Sequence, residues 1–181
     1  MPLNTDRYDV RSASRRAVRV IGTTAAAVLL CVTAAGAASA SNAGGQSDLA
    51  AARAGTAAYH DLANVPSSYV DSGLPCFETA AGGMGIHYLD VAALMDPTED
   101  ASHPEALVYA QTSHGPQLVA VEYIVPTALV DPSNPPTLFG RSFTAETIPG
   151  AGDLTVLHAW IWDPNPAGMF EDWNPSLDSC P

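Results

Sequence analysis

The stretch that decides the fold is Ala106-Leu-Val-Tyr-Ala-Gln-Thr112, Ser113-His-Gly-Pro116, Gln117-Leu-Val-Ala-Val-Glu-Tyr-Ile-Val125. Two apolar runs rich in strand-forming residues flank a tight polar connection, the signature of an antiparallel hairpin. A four-residue loop over 113–116 would pair Thr112 with Gln117 and set Glu122 opposite Leu107. Alternation then gives Glu122 the same face as Leu118, Ala120 and Ile124. A carboxylate on an apolar face must pair, bind something or raise its pKa.

Working outward, residues 84–90 (Met-Gly-Ile-His-Tyr-Leu-Asp) and 155–162 (Thr-Val-Leu-His-Ala-Trp-Ile-Trp) read as two further strands. Residues 126–153 read as a proline-rich loop with a short extended piece at 137–139. On the N-terminal side, Leu49, Ala52, Thr56, Tyr59 and Leu62 recur at helical spacing, with Ser47 as N-cap and Pro66 as the stop. Fourteen of the fifteen prolines follow residue 65, which bars long helices there. The expected fold is α+β: an N-terminal helix packed on a curved antiparallel sheet of about four strands, held by one disulfide.

The chain has 181 residues, seven arginines, no lysine, 19 acidic residues and a net charge of −12. Five arginines (Arg7, Arg11, Arg15, Arg16, Arg19) precede an Ala/Val/Leu/Thr-rich run over 20–38 that closes in Ala38-Ser39-Ala40. A basic segment, an apolar segment and an A-x-A site make a secretory signal peptide over 1–40. The same stretch is long enough to serve as an uncleaved anchor. Ser14-Arg15-Arg16-Ala17-Val18 also resembles a twin-arginine signal, so export runs by the general or the twin-arginine route. The expected location is secreted or on the envelope exterior, without stable membrane insertion after cleavage. Residues 41–47 form a flexible lead-in, and 48–181 a single globular domain.

Beyond residue 40 only Arg53 and Arg141 face 17 acids, a net charge of −15. That excludes nucleic acid and anionic membrane surfaces as partners, since phosphate binding needs clustered cations. Cys76 and Cys180 are the two cysteines of the exported part. In an oxidising compartment an even count reads as a disulfide, here closing about 100 residues and worth roughly 4–5 kcal/mol in the chain-entropy picture.

Several chemistries lack their motifs. No G-x-S-x-G elbow, phosphate-binding loop, dinucleotide turn or H-E-x-x-H is present. Three ionisable residues instead sit inside apolar strands: His87, Glu122 and His158. Two imidazoles and a carboxylate are a ligand set for zinc or ferrous iron, and nearby methionines extend the choice to copper. Without a metal, the same three would form a hydrogen-bonded polar cluster. Trp160, Trp162 and Trp173 fall in the last 22 residues, around Met169 and Phe170. With Met84 and Tyr88 they can line a pocket for a small apolar ligand, or simply fill the core.

Gly82-Gly83-Met84-Gly85-Ile86-His87-Tyr88, Leu157-His158-Ala159-Trp160-Ile161-Trp162, Asn165-Pro166-Ala167-Gly168-Met169-Phe170 and Trp173-Asn174-Pro175 resemble a family of exported actinobacterial proteins without an established activity. The resemblance covers roughly residues 48–180. It implies one coherent secreted domain and assigns no chemistry. Three functional readings follow from the residues: a binding module for a small apolar ligand, a metal-binding protein or metal-dependent enzyme, and a structural domain of the envelope.

Overall fold

In the computed structural model, residues 32–177 are described, their side chains from Ala43 onward. A helix, α1 (Val32–Thr56), leads into two short 3-10 turns. Nine strands follow: β1 (Tyr69–Asp71), β2 (Phe77–Thr79), β3 (Gly82–Asp90), β4 (Ala106–Thr112), β5 (Gly115–Pro126), β6 (Thr137–Leu138), β7 (Arg141–Ser142), β8 (Thr144–Ile148) and β9 (Gly152–Ala159). Seven of them form one antiparallel sheet in the order β1-β3-β4-β5-β9-β8, with β2 also on β3. The molecule is therefore predominantly β, which corrects the α+β expectation of about four strands.

The strands missed by sequence reading have a physical reason. β1 and β2 are three residues each, too short to show a period. β8 is a mostly exposed edge strand joined to β9 by Pro149-Gly150-Ala151, so its residues carry loop composition. The helix also differs from expectation: it includes residues 41–47 and ends at Thr56, with Ser47 inside it. No helix among the described residues is long and apolar enough to cross a membrane. The expected leader lies mostly outside the described residues, as does Cys180. Cys76 is the one cysteine among them, so no disulfide lies wholly within them, and the expected Cys76–Cys180 pairing lies outside.

One irregularity controls which side chains face which way. Thr112 pairs with Gly115, not Gln117, and Tyr109 pairs with Leu118. The register then shifts, so that Val108 pairs with Ala120 and Ala106 with Glu122. Val119 is the extra residue of a β-bulge on β5. Its carbonyl instead accepts N–H bonds from Trp162 (3.1 Å) and Asp163 (3.0 Å). The bulge inverts parity. Leu118, Val121, Tyr123 and Val125 face one side, in a core with Leu107, Tyr109, Leu157 and Ala52 of α1. Glu122 and Ile124 face the other.

The α1 side is the main core. Each large apolar side chain buried there contributes about 1.5–3 kcal/mol. Its phenols are satisfied: Tyr123 donates to the Ala101 carbonyl (2.7 Å) and Tyr109 to that of Tyr59 (2.6 Å). The opposite face is covered by the C-terminal segment. Asn174, fully buried, exchanges backbone hydrogen bonds with Gly83 at 3.2 and 3.0 Å. This approach requires glycine next door: a Cβ on Gly82, at φ +131°, would lie 2.3 Å from the Asn174 carbonyl.

Candidate functional site

On the face opposite α1, three strands bring their ionisable residues together. β9 aligns His158 directly beside Glu122 of β5, and Glu122 in turn faces Ala106 of β4. The small side chain of Ala106 leaves room, and His87 of β3 reaches across from its position opposite Val108. His87 Nε2 lies 3.3 Å from Glu122 Oε2. One ligand atom from each of His87, Glu122 and His158 lies within 4.8 Å of the others, and all three residues are buried. The group could hold a metal ion.

Its electrostatics are uneven. Burial pushes the Glu122 carboxyl up, but the His87 hydrogen bond and the attraction of both imidazoles outweigh it and hold the group below the usual range. Burial pushes the His158 imidazole down to about 4, against the attraction of Glu122. His158 is thus neutral at pH 7. It is 1% exposed, and neither ring nitrogen has a hydrogen-bond partner among the described residues. Its ring packs on Trp160, with centroids 4.6 Å apart, and stands edge-on to His87 at 6.2 Å. A buried polar atom without a partner costs roughly 1–3 kcal/mol. The other histidines differ: His60, His103 and His114 are exposed.

A pocket of about 200 Å³ opens in front of this group, with His87 and Glu122 in its lining. Leu74, Phe77, Met84, Ile148, Leu154 and Trp173 form most of its apolar wall. Of the residues expected to line an apolar pocket, Met84 and Trp173 are here. Trp160 packs with Val108 and Ala120, and donates from Nε1 to the Glu171 carbonyl at 2.6 Å. Tyr88, Trp162 and Phe170 belong to the α1 side. Trp162 donates to Thr56 Oγ1, and Phe170 stacks on Phe139. Met169 is half-buried, and its carbonyl accepts from the Trp160 N–H. The reason for the split is that β9 ends at Ala159; past it the chain leaves strand geometry, and strict alternation no longer holds Trp162 with Trp160.

Sequence reading missed Glu146, Asp172 and the apolar wall beyond Met84 and Trp173. Glu146 lines the pocket, and the carboxyl of Asp172 is near enough to act on it electrostatically. Burial, with the negative charge of Asp172 and Glu122, pushes Glu146 up to about 7; burial and Glu122 raise Asp172 as well. The alternation Thr144-Ala-Glu-Thr-Ile148 was the one signal available for Glu146. Searches against protein-family models, curated proteins and solved structures find no match to the chain.

Proposed function

We propose that the protein binds a divalent transition metal through His87, Glu122 and His158, with the apolar pocket giving a small molecule access to it. The observation that carries this reading is His158: a neutral, buried imidazole whose two nitrogens have no partner among the described residues, beside a carboxylate and a second imidazole. Folding a bare imidazole into such a place is unfavourable, and a metal ion removes part of that cost. Two nitrogens and one oxygen, with no thiolate, suit zinc or ferrous iron better than copper. Ligand atoms around a tetrahedral zinc sit about 3.4 Å apart, from bonds near 2 Å. The present separations, 3.3 Å between His87 and Glu122 and within 4.8 Å overall, are near that spacing, and a bound ion would draw the three side chains together. Three protein ligands leave further coordination positions for water or a bound molecule, the arrangement that supports Lewis-acid chemistry. The basic, apolar, A-x-A leader supports action outside the cytoplasm.

The test is metal content and affinity of the EDTA-stripped full chain. One equivalent of zinc or iron should bind, with affinity lost in His87→Ala and in His158→Phe. Failure of zinc, ferrous iron and copper alike to bind at one equivalent would refute the reading. A second reading, a metal-free binding module for a small apolar ligand, is favoured by the wall of Leu, Ile, Met and Trp173 alone. It predicts that apolar ligands perturb tryptophan fluorescence equally with and without metal.

A further inference from the structure

We infer that the pocket in front of His87 and Glu122 selects a small organic cation, an ammonium group on an apolar body, and rejects anionic amphiphiles. The inference shares the pocket with the proposed metal centre but not its metal. The pocket has an apolar wall that includes Phe77, Met84 and Trp173, and a polar set of His87, Glu122, Glu146 and Thr147. At about 200 Å³ it is smaller than the usual site for a drug-sized molecule, so the occupant is small.

Charge decides the rest. Glu122 has His87 as its partner, whereas Glu146, in the pocket lining, has no cationic partner among the described residues and bears the nearby charge of Asp172. The negative charge of Asp172 bears on Glu146, so a cation entering here would relieve repulsion between two acids. The two arginines among the described residues are engaged elsewhere. Arg53 donates to the Ile161 carbonyl at 3.4 Å, and the Arg141 guanidinium lies 5.4 Å over the Phe170 ring. Neither lines the pocket. An anionic head group entering it meets the carboxylates of Glu122 and Glu146, while the one imidazole in the lining, His87, is already engaged by Glu122, so the anion desolvates at a loss. A neutral molecule gains only the wall. An ammonium group gains the wall, donates charge-assisted hydrogen bonds to Glu146, and finds aromatic rings of a kind that attract cations. With a metal on His87, Glu122 and His158, the Glu146–Asp172 pair still lacks a cation, so the ammonium end belongs at Glu146.

Three isosteric probes separate the possibilities: n-hexylamine, n-hexanol and n-hexanoate, titrated calorimetrically at pH 7 into the metal-stripped full chain. Hexylamine should bind at one site, hexanol at least about tenfold more weakly, and hexanoate not detectably. Glu146→Gln removes the charge at nearly unchanged shape and should weaken hexylamine about tenfold while leaving hexanol within about twofold. The variant should take up zinc as the wild type does. His158→Phe should lose zinc and keep hexylamine, so the metal reading and this one fail separately. Hexanoate binding as tightly as hexylamine, hexylamine indifferent to Glu146→Gln, or no hexylamine binding at millimolar concentration would each overturn the inference.

Discussion

Replacing His158 by phenylalanine tests the energetics of the site most directly. The substitution keeps an aromatic ring of similar shape against Trp160 and deletes two buried nitrogens that have no partner among the described residues. Removing even one such penalty is worth about 2 kcal/mol, so metal-free His158→Phe should be more stable than metal-free wild type by about that amount at pH 7. The pH dependence sharpens the test. The imidazole titrates at about 4 in the fold against 6.5 when unfolded. Between those values the unfolded chain holds a proton that the native chain does not. Native stability from this group is therefore complete above pH 6.5 and is lost as pH falls toward 4. The loss approaches about 3 kcal/mol, from 1.36 kcal/mol per pKa unit. Other carboxyls also titrate in this range and, apart from Glu122, which His158 itself lowers, are common to both proteins; the difference between variant and wild type therefore reports His158 together with its coupling to Glu122. Urea unfolding in EDTA at pH 7, 6, 5 and 4.5 should show the variant's advantage growing as pH falls. With zinc at 100 times its Kd the order at pH 7 should reverse, because wild type gains about 2.7 kcal/mol that the variant cannot. A variant less stable than wild type in EDTA, or an advantage flat across pH, would refute the account of His158 as an unsatisfied neutral imidazole.

Glu105 offers the opposite pH sign. Burial pushes its carboxyl up to about 7, against the Ile124 N–H that it accepts at 3.0 Å, so its contribution is complete below pH 4.5 and lost as pH rises through 7. Glu105→Gln should match wild type near pH 4.5 and exceed it by about 2 kcal/mol at pH 8 in urea unfolding; parallel curves would count against this. Gly85 sits at φ +92°, with a Cβ there 2.8 Å from Val108 Cγ1 and 3.0 Å from the Tyr109 oxygen. Gly85→Ala should cost about 2–3 kcal/mol and lower Tm, and an unchanged Tm would show that β3 and β4 separate freely.

The central strands could be read locally, yet the way the strands share faces could not. The runs at 84–90, 106–112 and 117–125 lie within β3, β4 and β5, because apolar alternation bounded by turn residues is a local property. The 155–162 run was placed too far toward the C-terminus, since the aromatic sequence continues past the point where β9 ends at Ala159. β1, β2 and β8 carry little apolar signal because they sit at the sheet's margins. The C-terminal aromatics were expected together, and they divide between two faces because residues after Ala159 follow loop geometry.

For the site, the residues by themselves determined its membership: His87, Glu122 and His158 are ionisable groups within apolar strands, and such groups must find partners wherever they are buried. They also determined the charge balance, with two arginines against 17 acids after residue 40. Convergence was decided only in three dimensions. A strictly alternating β5 would hold Glu122 with Leu118, on the side of α1. The extra residue Val119 turns Glu122 to the other face, opposite Ala106 and beside His158, where His87 meets it. One residue inserted in a ladder of period two reverses every side chain beyond it, and that reversal depends on the partner strand and on the Trp162 and Asp163 N–H groups that take up the freed carbonyl.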